Sequence, residues 1–330
     1  MKLNHIYKSI ACGVLLAMTA TSCDLDYNPV DTYSDVTEGV NKTDEKPIFN
    51  SVQDVETSMV TLHKKFRDQQ EHWYVDKLLI GDAHSDNAYA GTTGAEVVPY
   101  ETNSIEGSNS VLKRDWDRFL GDIAVANRII VGCDQLKALS ESERGKYQSQ
   151  AKIFRAMVMF DMVRLWGNFP VITTVGGDIT EDNVEEMYPT YFPPQNTAEE
   201  AYAQIEKDLT EAVENPNTPT NDTSDKSILT KSVARAMLAK VYAEKPLRDY
   251  AKVIKYADEL AADGFDLVED FSDLWAYDTE KKDCRVRNTK EAILEAHFPP
   301  GSGNWCTWMF GRNLSNWDES FTWAKWITFP

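Results

Sequence analysis

In six stretches of this chain apolar residues recur at the three-and-four spacing of an α-helix, and almost no stretch alternates with period two. The first helix is predicted over 52–69, where Val55, Met59, Leu62 and Phe66 make one stripe. A second, over 115–139, carries Trp116, Leu120, Ile123, Asn127 and Ile130. The strongest pattern is 148–166, with Ile153, Met157, Phe160 and Val163 on one face and Arg155 and Asp161 among apolar residues on the other. Apolar residues on both faces predict a buried central helix, with Gly167 as its stop and Pro170 beyond. Thr197 with Glu200 three residues on forms a capping box, opening a helix whose stripe is Ala201, Ile205, Leu209 and Ala212 and which Pro216 ends. Helices over 230–243 and 248–262 follow, joined by a turn at Pro246 and closed by Gly264. The fold class is mainly α.

The N-terminus adds a location. Lys2 and Lys8 precede an apolar run from Ile10 to Ala20, which ends in Ala20-Thr21-Ser22-Cys23, the layout of a cleaved lipoprotein signal. Eleven residues are too few to span a bilayer. An ordinary secretory leader ending near a cysteine is the alternative, because Ala20 stands where lipoprotein signals more often carry Leu. On the lipoprotein reading Cys23 is the lipidated first residue of the mature chain and holds it on a membrane. The segment after it, rich in Asp, Thr, Asn, Glu and Pro, reads as a solvated tether.

Charge narrows the partners. The whole chain carries −19, and removing residues 1–22 with their two lysines leaves 32 basic against 53 acidic side chains, 32 − 53 = −21. Nucleic acid and anionic membrane surfaces are poor partners for such a surface. Cys133, Cys284 and Cys306 remain after Cys23. Three widely spaced cysteines form no disulfide framework, and at most one bridge, Cys284 to Cys306, competes with buried free thiols.

Residues 230–263 span 34 positions, the length of a tetratricopeptide unit, with Ala239, Tyr242 and Ala251 at its small, aromatic and small positions. Lys255 and Asp258 depart from that pattern, and no second clean copy follows.

Taken in order, the segments resemble the SusD/RagB family of outer-membrane nutrient-binding lipoproteins. The carriers are Cys23-Asp-Leu-Asp with Pro29 and Tyr33, Leu79-Ile-Gly-Asp82 followed by Ser85-Asp-Asn87, and Trp116 with Asn127. Arg155-Ala156 then runs into Arg164-Leu165-Trp166-Gly167 with Pro170, and Ile205 with Asp208-Leu209 follows. The resemblance implies TPR-like helical hairpins embedded in a larger globule with irregular ligand-binding loops. It further implies a ligand that is an oligosaccharide, or a peptide in the RagB branch. The implied partner is a SusC-like TonB-dependent transporter, on which the lipoprotein sits as a hinged lid facing the cell exterior. The organisation expected is a leader over 1–22, an acidic tether over 23–47 and a SusD-like α-helical domain over 48–330. Members of the family usually run longer, and the last 26 residues hold Trp305, Trp308, Phe310, Trp317, Phe321, Trp323, Trp326 and Phe329, so a missing C-terminal part is expected.

Sugar recognition needs flat aromatic faces against C–H surfaces and amides or carboxylates for the hydroxyls. Trp73 and Tyr74 in one segment, Asn87 and Tyr89 in the glycine-containing loop 84–91, and Asn304, Trp305 and Trp308 in the loop 301–308 supply those types. For Trp73 and Tyr74 a place in the core competes, and Trp116, Trp166 and Trp275 are assigned to the core. Catalysis is not expected. His63, His72, His84 and His297 make no HExxH or HxH pattern, and GxSxG, Walker and GxGxxG motifs are missing. A glycosidase needs two carboxylates flanking a cleft, and among 53 acids spacing alone singles out no pair. No cofactor is expected beyond calcium at loop carboxylates such as Asp222 and Asp225. Non-catalytic glycan capture leads; peptide capture, a surface glycosidase and a protein-only helical adaptor are its rivals.

Overall fold

Among the described residues, six long helices build the body of the protein in the computed structural model: α1 (Val52–Asp68), α2 (Ser110–Gln135), α3 (Glu141–Trp166), α4 (Ala198–Glu214), α5 (Lys231–Ala243) and α6 (Tyr250–Ala262). The structure describes residues 47–69, 71–85, 96–177, 183–244, 246–274, 277–278, 280 and 283–298. The leader, Cys23, nearly all of the tether, Trp275 and Cys306 lie outside the described residues. Shorter helical turns fill 71–83, 98–101, 184–191 and 271–274, and a short antiparallel pairing sets Tyr277 against Cys284 and Asp278 against Asp283.

The ends of the helices follow local chemistry. Ser51 with Asp54, Ser140 with Glu143 and Thr197 with Glu200 each form a reciprocal capping box, satisfying two amides that the first turn leaves without partners. Asn109 caps α2 through the amides of Val111 and Leu112. α3 stops at Gly167, whose φ of 71° is open to glycine and costly for residues with a Cβ.

α3 is the central element. Every side chain from Ile153 to Val163 is buried, because α2 and α4 cover it most extensively and α1 and α5 close the remaining sides. α2 departs from the expected face. Trp116, Leu120 and Ile130 are only half-buried, while Asp115, Phe119, Asp122, Ala126, Ile129 and Cys133 are deepest. Two neighbours, α1 and α3, cover it, so no single stripe describes its burial. At Gly132 a Cβ would lie 2.4 Å from the Phe49 ring, so the segment entering α1 crosses α2 where glycine leaves room. α6 packs on α5, with Tyr242 and Tyr256 stacked at 6.1 Å and Arg235 bonded to Glu259 and Asp263.

A buried polar cluster sits where α2, α3 and α4 meet. Arg155 donates to both carboxylate oxygens of Asp208, at 2.8 and 2.7 Å, and to Asn127 Oδ1 at 2.7 Å. Asn127 Nδ2 donates onward to the carbonyls of Ile172 and Thr174, at 2.9 and 3.2 Å, and Gln204 donates to Asp208. Burial pushes the Asp208 carboxyl up while the Arg155 guanidinium acts to hold it down. Three N–H donors on its two oxygens favour the carboxylate. With Arg155 4% and Asp208 1% exposed, removing one partner strands the other charge away from water. Arg155→Met is therefore expected to lower the unfolding free energy by about 3–5 kcal/mol in urea denaturation. Adding Asp208→Leu should recover most of that loss, whereas a cost for the single variant near the ~0–1 kcal/mol of a surface pair would contradict the assignment.

Candidate functional site

A cleft lined by two of the candidate residues, Trp73 and Tyr74, lies beside α3. It holds about 380 Å³ and is walled by Phe66 from α1, Trp73, Tyr74 and Lys77 from the irregular stretch 71–83, Met157, Phe160, Asp161 and Arg164 from α3, and Met237 and Lys240 from α5. Phe66 meets Trp73 edge-on at 5.2 Å and Tyr74 at 6.2 Å. Lys77 Nζ bonds Asp161 at 2.6 Å and lies 4.8 Å above the Trp73 ring, and Arg164 stands 5.3 Å over Phe160. The cleft thus has an aromatic wall under a charged rim, in the size range of small-ligand sites.

Trp73 itself is not an open platform. It is 3% exposed, with Phe66, Phe119 and Phe154 packed around it and the Lys77 ammonium over its ring, so no face is left for a sugar. The physical reason is the π-helical winding of Glu71–Val75, which turns Trp73 inward onto α2 and α3. Tyr74 is half-buried, donates its hydroxyl to the Phe66 carbonyl at 3.3 Å and lines the cleft. Asn87, Tyr89, Asn304, Trp305 and Trp308 lie outside the described residues.

Two acids that spacing did not single out form a buried pair. Asp76 and Asp115 are 0% and 1% exposed beneath Tyr100, and Arg114 bonds Asp76. Burial, and then the neighbouring Asp76 charge, push the Asp115 carboxyl up to about 9, so it carries the proton that the two acids share at neutral pH. A raised carboxylic acid is a signature of general-acid sites. Burial this complete removes both from any sugar, so the pair is structural. Near it, a surface recess of about 490 Å³ is lined by Glu96, Pro99, Ser104, Glu106, Ser108, Asn109 and Ser110.

Asp222 and Asp225 are engaged locally. Each accepts from the backbone amide and the hydroxyl of the serine two residues on, Ser224 and Ser227, and these bonds hold both carboxyls below the usual range. Among the described residues no three His, Cys, Asp or Glu side chains converge on a metal-sized position. Cys133 is a buried free thiol, pushed up to about 12 by burial.

The described body is helical and carries an aromatic cleft under a charged rim. Comparison with known proteins places it: the chain belongs to the SusD-like family described as starch-binding and associating with the outer membrane, whose model matches residues 32–243. A SusD-like protein of Bacteroides ovatus is 25% identical over 309 residues, covering 90% of this chain and 50% of that protein. The fold is similar to that of surface glycan-binding protein A from Bacteroides fluxus, with a TM-score of 0.61 at 20% identity over 78% of this chain and 52% of that one. It is also similar to surface glycan-binding protein A from Bacteroides thetaiotaomicron, solved in complex with laminarihexaose, with a TM-score of 0.56 at 17% identity over 68% and 46%. The chain spans about half the length of these relatives.

The acid pair makes a pH prediction. Asp115 has a folded value raised far above its unfolded one, so its contribution to stability is greatest below about pH 4 and is lost as pH rises toward 9. Asp115→Asn keeps a donor toward Asp76 and removes the titration. Its melting temperature should match that of the parent near pH 4 and exceed it at pH 8, in the presence of the same Arg114, Arg118 and Tyr100 neighbours. A variant equally or more destabilised at pH 8 would refute the shared proton.

Proposed function

We propose that this protein captures oligosaccharides at the outer face of the outer membrane, without catalysis, and passes them to a SusC-like TonB-dependent transporter while lipid on Cys23 tethers it. Family membership carries this reading, since the family is described as starch-binding and outer-membrane associated. Two solved relatives of the same fold support it through their ligands: one is described as laminarin binding and another was solved with a xylogluco-oligosaccharide. The chemistry of the chain fits as well. A net charge of 32 − 53 = −21 on the chain from Cys23 onward suits a neutral ligand better than a polyanion. Tyr74 at the cleft, and Asn87, Tyr89, Asn304, Trp305 and Trp308 in the loops, are the proposed contacts, stacking on sugar faces and bonding hydroxyls. Calcium at loop carboxylates would be structural rather than chemical in such a protein.

Affinity electrophoresis of the chain from residue 24 onward through laminarin, xyloglucan and starch tests the capture. At least one neutral polysaccharide should retard it, and Trp305→Ala with Tyr89→Ala should weaken binding about tenfold, equivalent to ~1.4 kcal/mol. No retardation by any glycan, with calorimetric binding of oligopeptides instead, would replace the reading with peptide capture. Release of reducing sugar by the clean protein would replace it with a glycosidase.

A further inference from the structure

An aromatic turn far from any expected contact in the sequence stands out on the surface. After the helical turn Val184–Met187, the 3₁₀ turn Tyr188–Tyr191 and the next residue expose three rings within five positions: Tyr188 at 55%, Tyr191 at 48% and Phe192 at 66%. Folded proteins place rings of this size in the core, so a contiguous exposed set marks a contact surface. None of the three lines the Trp73–Tyr74 cleft.

The turn is held firmly. Tyr191 donates its hydroxyl to the Gly177 carbonyl at 2.6 Å, and Thr190 Oγ1 donates to the Met187 carbonyl at 2.7 Å. A Cβ on Gly176 would stand 3.3 Å from the Tyr191 ring, and one on Gly177 would stand 2.9 Å from Met187. Two glycines therefore let the strap 171–177 pass directly beneath the turn, behind the Tyr191 ring and the Met187 side chain. Pro189, Pro193 and Pro194 restrict the backbone on both sides. Tyr188 and Phe192 lie with ring centroids 5.0 Å apart and planes at 52°. Rings fixed in this way lose little entropy when a ligand covers them.

We propose that Tyr188, Tyr191 and Phe192 form a separate platform for a neutral oligosaccharide, resting on the glycan-capture reading above. Sugar C–H faces stack on the rings, while the Tyr188 hydroxyl, Thr190 and the exposed Gln195 amide meet the hydroxyls. Charge selects the occupant. Exposed Glu185 and Glu186 stand in the adjoining turn of a strongly acidic chain, which opposes uronic-acid polymers and anionic lipid surfaces alike.

Two readouts on the full chain test the platform, with laminarin, xyloglucan and starch as neutral probes and polygalacturonate as the anionic one. The first is retardation in affinity gels of Tyr188→Ala/Phe192→Ala, whose melting temperature should stay near that of the parent because both rings are more than half exposed. The variant should bind whichever neutral polysaccharide retards the parent at least about threefold more weakly, and polygalacturonate should retard neither. The second is nitration of tyrosine by tetranitromethane, mapped by mass spectrometry, in which that same polysaccharide should protect Tyr188. If the parent is retarded and the variant binds equally with Tyr188 unprotected, the platform falls and glycan capture stands. If no neutral polysaccharide retards the parent, both fall. Protection of Tyr188 by phosphatidylcholine vesicles and by no polysaccharide would overturn the platform in favour of a membrane contact.

Discussion

The guanidinium of Arg155 is the constraint around which the rest is arranged. Among the described residues it lies on the helix buried on nearly every side, and there a cation is tolerated only if each of its nitrogens finds an acceptor. Asp208 takes two of them and Asn127 a third, which fixes α4 and α2 against α3 in one register. Asn127 then spends its own amide hydrogens on the carbonyls of Ile172 and Thr174. The strap leaving α3 is thereby tied back to the core. Such a cluster adds little net stability over a well-packed apolar one, but it penalises any other arrangement of the three helices.

The same strap links core to surface. It continues through Gly176 and Gly177, on which the Tyr191 turn rests, and Asn196 at the head of α4 closes it by accepting from the Val171 amide and donating its own amide to the Phe169 carbonyl. Binding residues on a loop need a rigid scaffold behind them. Here the scaffold is the Arg155 cluster, acting through Asn127.

Much of this was legible in the sequence because it is local. The capping box at Thr197 and Glu200, the stop at Gly167, the stripe of Val55, Met59 and Leu62 and the full burial of 153–163 each follow from residues within a turn or two. Arg155, Asn127 and Asp208 were visible as separate family features, but their meeting was not, since 28 and 53 residues separate the partners and side-chain pairing across helices leaves no periodic trace. The inward turn of Trp73 depended on π-helical winding that composition does not announce. The pair Asp76 and Asp115 is hidden among 53 acids, and Tyr188 to Phe192 stands in a proline-rich run that reads as plain loop. Three rings set between prolines, Tyr188-Pro189-Thr190-Tyr191-Phe192-Pro193, were the signal available for it.

The link from core to strap is complete within the described residues. Hydrogen exchange read by mass spectrometry on Asn127→Ala tests that link most directly. The account predicts that the amides of Val171 and Asn196 exchange at least about tenfold faster than in the parent, the equivalent of ~1.4 kcal/mol, while amides in the middle of α3 keep their protection. Unchanged exchange at Val171 and Asn196 would show that the strap is held by something other than the Arg155 cluster.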